Sequence, residues 1–349
     1  MELHIPNYYP KFRCLAGDCP HTCCAWWEVP VDEASAAFYR TVPGALGERL
    51  RAALTTDEDG DDCFRLTGGH CPFLTNGGLC SLQLQWGEKR IPAICREHPR
   101  FTYGYGPVRE AGLCASCPEA ARLILAEDFV LSMEVVPDGD AAPGEDDGPD
   151  PLLLPLLLAR EAALGLLRAD ASLPQRLQAV LLFANDLQNA LDEGEPDSLA
   201  QVSEAYAGGF PRLENVPLPP RRESLQKVLS CLGKLEVLQA DWPKLLSAAS
   251  AQPAPPLPPD EAGGRCAAYF LYRHWLRALN DGDLLSWCEL AVVGTAVAGA
   301  MTPLIDGGFL EAFRRFCLEV EHSQPNLDAL QDALWHDLTL PDLLSLAGG

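Results

Sequence analysis

Basic residues are scarce in this chain: 26 lysines and arginines face 49 acids in 349 residues, a net charge of −23. Nucleic acid is bound through clustered Lys and Arg, so this balance excludes it as a partner. Long apolar runs are also missing. Leu152–Ala159 is broken by Pro155, and Leu290–Ile305 carries Thr295 and Thr302. Both fall short of the roughly 20 residues a membrane helix needs, so they are expected as buried helices with no membrane involved. The N-terminus MELHIPNYYPKFRC has no basic run followed by an apolar stretch. Nothing in it directs the chain out of the cytoplasm, and its thiols are expected to be reduced. No glycine-rich loop sits between a strand and a helix, which excludes a dinucleotide fold and a P-loop.

What is present is cysteine, unevenly placed. Ten of fourteen lie between Cys14 and Cys117; the rest of the chain holds Cys231, Cys266, Cys288 and Cys317, expected as ordinary buried residues on helix faces. In a reducing compartment, thiols at short spacings read as metal ligands rather than disulfides. The acids cluster as well, in DEDGDD at 57–62 and DGDAAPGEDDGPD at 138–150. Solubility accounts for them, with a basic partner or a lysine-bearing substrate as the second reading.

The length suggests about two domains. Residues 1–136 are rich in Cys, Gly, Pro and loops, with helical spacing only at 32–54 and again from Pro118 through Leu123, Ile124 and Phe129. A region of that kind lacks apolar mass and is stapled by bound metal. After the acidic loop 137–150, the segment 151–349 shows amphipathic stretches at 156–168, 174–191, 222–239, 264–280, 283–301, 308–320 and 327–346. Proline-rich connectors at 217–220 and 252–259 separate them. The expected fold is mainly α: a Cys-rich, loop-rich metal-binding region packed against an irregular helical domain.

Three cysteine clusters stand out. Cys14, Cys19, Cys23 and Cys24 come first, followed at once by Trp26 and Trp27; Cys71, Cys80 and Cys95 come next; Cys114 and Cys117 form a CxxC. Cys117 precedes a helix, whose N-terminus favours the thiolate a metal requires. No strand and helix alternation is expected around this pair, which speaks against a thioredoxin-like role. Cys63, in the acidic loop, is the weakest candidate ligand. A zinc ion or a four-iron cluster takes four ligands, so the set suffices for one site or two. The Cys-x3-Cys-x2-Cys pattern of radical chemistry is incomplete, because Trp26 stands where the third thiol belongs.

FRCLAGDCPHTCCAWW, CPFLTNGGLCSLQLQWGEKRIPAICREHPR and LCASCPEAARLIL together resemble the flagellin lysine-N-methylase family, itself related to small zinc- or iron-chelating Cys-rich proteins. GGRCAAYFLYRHWLRALNDGDLLSWCELAVV is similar to the helical half of that family. The resemblance implies methyl transfer from S-adenosylmethionine to lysine ε-amino groups of flagellin or another protein. It implies an iron–sulfur cluster, 4Fe-4S with zinc as the alternative, on Cys14, Cys19, Cys23, Cys24, Cys71, Cys80, Cys95 and Cys117, leaving Cys63 and Cys114 as extras. A non-enzymatic metal-binding protein with a partner-docking helical domain is the competing function.

Such a reaction needs a neutral lysine, which costs about 4 kcal/mol at neutral pH. A desolvating pocket or a proton acceptor must supply it. Glu28, Glu88, Glu97 and Glu119 are candidate acceptors, and Trp26, Trp27, Tyr103 and Tyr105 are candidate aromatic walls or plain core. The basic run Lys89, Arg90, Arg96, His98 and Arg100 offers two readings. It either balances a cofactor, with Arg96 and Arg100 nearest the cysteines, or pairs with the acidic loops. His70 and His98 are alternative ligands. Arg273 and His274 read as part of a packing stripe.

Overall fold

The computed structural model describes residues 2–25, 29–57, 60–126, 131–137, 150–194, 196–207, 209, 217–253 and 255–348. Trp26, Trp27, Glu28, Phe129 and acidic residues 138–149 therefore lie outside the described residues. The chain is mainly helical, as the apolar periodicity predicts. Helices α1 (Glu33–Thr41) and α2 (Gly44–Ala53) fill the early helical span. Asp32 caps α1 by accepting the Ser35 N–H at 3.0 Å, which satisfies an end donor. Three short helices follow: α3 (Ser81–Trp86), α4 (Ala93–Glu97) and α5 (Pro118–Ile124).

Beyond residue 150 come α6 (Leu153–Arg168), α7 (Leu173–Asp192), α8 (Pro196–Ala207), α9 (Arg221–Leu232) and α10 (Trp242–Ala251). They are followed by α11 (Asp260–His274), the single turn α12 (Ala278–Asp281), α13 (Leu284–Met301), α14 (Gly308–Val320), α15 (Gln324–Asp337) and α16 (Leu340–Ala347). The expected helix at 222–239 stops at Leu232, and the one at 327–346 is two. Thr339 starts the second by exchanging hydrogen bonds with Asp342 in a capping box.

Helix α13 has no polar face and is buried on nearly every side, as an all-apolar helix must be in a packed protein. Leu284–Leu304, 21 residues, is long and apolar enough to cross a membrane by length and composition, but 94% of that window is buried inside the protein. The run is longer than its sequence suggests because Leu284–Glu289 extends it at the start. Gly294 lets α11 approach: a Cβ there would lie 2.5 Å from the Phe270 ring.

Two sheets correct the expectation that the cysteine-rich part is loops and short helices. β1 (Glu2–Pro6), β5 (Arg100–Tyr105), β6 (Val108–Leu113) and β7 (Met133–Pro137) form one sheet in the order β5-β6-β1-β7. In it β1 runs parallel to β6 and antiparallel to β7. β2 (Val29–Pro30), β3 (Leu54–Thr56) and β4 (Asp62–Phe64) form another in the order β2-β4-β3. The helix expected onward from Pro118 thus ends at Ile124, because Met133–Pro137 pairs with β1 instead. A strand does precede the CxxC: β6 ends at Leu113 and α5 starts at Pro118.

Among the described residues there are two hydrophobic cores. The larger gathers α13 and its surrounding helices with Tyr8, Phe12, Tyr105, Val108 and Leu113, so the four-stranded sheet belongs to it. Glu110 on β6 and Arg160 on α6, each 3% exposed or less, form a buried ion pair with a bond of 2.8 Å. The smaller core holds Val29, Val31, Tyr39, Leu50, Phe64, Phe73, Leu82 and Ile91. Cys24, Cys80 and Cys95 pack against it, and Cys71 lies within it.

Candidate metal centre

Short turns bring the thiols of the small core together. The Cys71 N–H donates to the Cys24 carbonyl at 2.7 Å, and Leu74 bridges Cys80 in an antiparallel pair. Thr75 N–H closes the turn between them on the Leu79 carbonyl at 2.8 Å. Cys80 precedes α3, and Cys95 lies in α4, whose Ala93 N–H reaches the second oxygen of Asp32 at 2.8 Å. One carboxylate therefore ties the starts of α1 and α4. The Cys71 sulfur accepts backbone N–H groups of Phe73 and Leu74, and the Cys80 sulfur those of Leu82 and Gln83. Burial nevertheless pushes both thiols up, Cys71 to about 11, and it raises Cys95 further with help from Cys24, Cys71 and Cys80.

The other thiols lie on the N-terminal loop and at the start of α5. Cys14 and Cys23 are exposed and Cys19 half-buried. Ala16, in the left-handed region at φ 50°, turns its N–H toward the Cys14 sulfur at 3.4 Å. Cys117 sits at the cap of α5, its sulfur accepting the N–H groups of Glu119 and Ala120. Burial raises it to about 11, with Cys19 and Cys14 adding to the rise. A hydrogen bond from Cys23 lowers the Cys24 thiol to about 7 and raises that of Cys23.

Eight sulfurs, of which Cys14, Cys71, Cys80 and Cys117 accept backbone N–H bonds, form a soft donor set that suits zinc or an iron–sulfur cluster. Among the described residues, no three His, Cys, Asp or Glu side chains have their donor atoms already gathered to hold an ion. The chemistry of the donors fits such a group, and closing around it requires local movement of the loops.

The remaining candidates are more scattered. Cys63 is buried in β4, within the small sheet. Arg90 lies over the Phe38 ring at 4.4 Å, and Arg100 over Phe12 at 5.1 Å. Arg96 donates to the Ile91 carbonyl at 2.9 Å beside Cys95. Tyr103 and Tyr105 pack with the larger core. Glu119 is held by Arg122 through two 2.7 Å bonds, whereas Glu88 and Glu97 are exposed. His70 pairs through Nδ1 with the Gly68 carbonyl at 2.9 Å. The four cysteines of the helical part are all buried.

A cleft of about 920 Å³ opens between the N-terminal loop and α14, lined by Cys19, His21, Cys23, His98, Ser116, Leu238, Asp241, Glu311, Arg314 and His322. His98 faces His322 edge-on at 5.7 Å. Burial, then His322 and Arg273, lower His98 to about 4, so its imidazole is neutral at pH 7.

Behind the cleft stands a polar network that the sequence reading treats as packing. Arg273 donates to the Tyr269 hydroxyl at 2.7 Å, and Tyr269 donates to Glu321 at 2.9 Å. His274 bonds the same Glu321 at 2.6 Å. Burial outweighs this carboxylate and lowers His274 to about 4, because Arg273 already balances the charge. The Ala115 N–H donates to Tyr269 at 3.1 Å, and Arg314 donates to the Ser116 carbonyl at 3.2 Å. Helices α11 and α14 thereby hold the turn bearing Cys114 and Cys117. Burial opposes the Cys114 thiolate, but Arg273 and His322 lower its thiol to about 6. An adjacent Arg-His pair inside an apolar helix was the available signal for this network; its partner Glu321, 47 residues away, had none.

No family model and no solved structure matches the chain. It is 24% identical over 136 residues to a lysine-N-methylase of Salmonella typhimurium, covering 37% of this chain and 33% of that protein. A lysine-N-methylase of Salmonella choleraesuis is 24% identical over 140 residues, again 37% and 33%. The flagellar biosynthetic protein FliU of Salmonella muenchen is 24% identical over 136 residues, 37% of this chain and 79% of that protein. The matched span is thus about a third of the length of the two named methylases. The thiol loops and the cleft belong to a chain that is similar, over 37% of its length, to proteins named for lysine N-methylation.

Proposed function

We propose that this chain is a metal-containing protein-lysine N-methyltransferase that moves methyl groups from S-adenosylmethionine to lysine ε-amino groups of flagellin or another protein. The observation that carries this reading is the cleft, where Cys19 and Cys23, carboxylates and the neutral His98 share one wall system. The similarity to lysine-N-methylases supports it.

A lysine side chain entering the cleft would meet Asp241, paired with Arg315, and Glu311, paired with Arg314 through two 2.7 Å bonds, so it must share these carboxylates with the arginines. Its ammonium must lose a proton before the nitrogen attacks the methyl carbon in line with the departing sulfur. His98 is the acceptor we assign: its imidazole is free of a proton at pH 7, and because its lowered pKa makes it a weak base, the transfer requires the cleft to lower the lysine's own pKa by desolvation as well. Arg314 and Arg315 also line the cleft. They suit the carboxylate of S-adenosylmethionine better than Arg100, whose guanidinium lies over Phe12. Cys14, Cys19, Cys23, Cys24, Cys71, Cys80, Cys95 and Cys117 would hold the metal. A bound iron–sulfur cluster would supply a redox-active centre, and zinc a fixed Lewis acid.

The test is labelled S-adenosylmethionine incubated with metal-loaded protein and flagellin. Label on lysine is expected, with the rate falling about 100-fold in His98→Gln at unchanged metal content. If fully loaded protein transfers no label to flagellin or to a lysine-rich protein mixture, the assignment is wrong, and a metal-binding protein that docks partners through its helices takes its place.

A further inference from the structure

We infer that the eight thiols form two separate four-thiolate sites: Cys24, Cys71, Cys80 and Cys95 on the small core, and Cys14, Cys19, Cys23 and Cys117 beside the cleft. The inference rests on the metal-binding reading above and divides its ligands.

The core set shares one hydrophobic cluster: Cys71 is part of it and the other three pack on it. Backbone bonds connect its segments directly, Cys71 to Cys24 at 2.7 Å and Leu74 to Cys80 as a bridge. Cys95 feels Cys24, Cys71 and Cys80 together, and Cys23, where the two sets meet, feels Cys14 as well as Cys24 and Cys95. In the other set, Cys19 and Cys23 line the cleft, whereas none of the core set does. Cys117 is influenced by Cys19 and Cys14. Ser116, its neighbour, also lines the cleft and is held there by Arg314. Adjacent residues Cys23 and Cys24 share a hydrogen bond yet differ in surroundings, one on the cleft and one on the core. The boundary between the sites therefore runs through a single peptide unit.

The two sites would differ in use. The core site closes loops whose apolar mass is small, so its metal acts as a structural staple. The cleft site presents sulfurs to a cavity that a small molecule enters, so its metal is reachable by substrate or chelator. Neither set has its sulfurs gathered on one point. Filling either requires short movements of turns already held in place by α11, α14 and Asp32.

The experiment uses the full chain, loaded without oxygen with zinc and, separately, with iron and sulfide, and counts metal by native mass spectrometry. Wild type is expected to fill two sites. Cys14→Ser and Cys117→Ser should each lose the metal of one site and keep the other, with unchanged circular dichroism. Cys71→Ser should lose the opposite site, and Cys14→Ser with Cys71→Ser should lose both. Because Cys71→Ser removes a buried ligand and endangers folding, chelator release from wild type gives a second readout. A fast phase absent from Cys14→Ser and a slow phase retained by it are expected. One filled site in wild type, abolished equally by Cys14→Ser and Cys71→Ser, overturns the division while leaving the metal reading intact. A wild-type chain that takes up neither metal overturns both.

Discussion

Around α13 the protein is held by apolar side chains packed from every direction, whereas under the cysteine loops a short list of apolar residues shares its core with thiols. Both are buried, but they are stabilised by different means. The larger core tolerates charged groups where they are matched, as Glu110 is by Arg160 and Glu321 by Arg273. The smaller core has little to spare for unmatched groups, and burial raises its thiols Cys71, Cys80 and Cys95. A core large enough to fold by burial alone frees its cysteines to be packing; under the proposed metal reading, the smaller core would use its own as ligands.

That contrast is broken most directly by withdrawing metal. Chelation should remove on the order of 10 kcal/mol from the thiol region. Amides at 29–97 should then exchange rapidly with solvent while those of α13 stay protected; equal loss of protection in both would erase the distinction. Next in size is Arg160→Leu, which strands Glu110 in the larger core and should cost about 3–5 kcal/mol in urea unfolding. Metal content should not change.

One pH effect belongs to the helical core. Burial, with Asp283 adding to it, raises Glu289 on α13 to about 8. The folded chain then keeps a proton that the unfolded chain has lost, so the stability Glu289 contributes falls as pH rises from the unfolded carboxylate range to 8. Histidines that unfold into protonatable forms act below about pH 6.5. Between pH 6.5 and 8 the Glu289 contribution should decline by about 2 kcal/mol, while the lowered thiols Cys24 and Cys114 act in the opposite direction; Glu289→Gln should therefore make stability climb more steeply with pH than in wild type, and identical profiles would contradict the assignment. The smallest effect belongs to Cys231→Ala, a packing loss of about 1–2 kcal/mol with full metal retention. Loss of metal there would mean that a helical cysteine is a ligand after all.

Much of the helical part is legible because its signals are local. The caps Asp32–Ser35 and Thr339–Asp342 span a few residues, and 284–301, apolar apart from Ser286, Glu289 and Thr295, leaves no face for water. The four-stranded sheet is not legible, because Glu2–Pro6 finds its partners at 108–113 and 133–137, and no short window contains that pairing. The same holds for the cleft. His98 and His322 meet only when the cysteine loops rest on α14, and Tyr269 reaches Ala115 across 154 positions of sequence.

By itself, then, the sequence determined that thiols are concentrated before residue 118, that helices dominate after 150, and which apolar run lies deepest. These follow from composition and from periodicities that each segment carries alone. Tertiary structure decided which thiols are neighbours, which of two adjacent cysteines faces a cavity, and how Arg273 and His274 come to share Glu321. Each of those depends on groups far apart in the chain being brought together by burial, and burial depends on the whole fold rather than on any one segment.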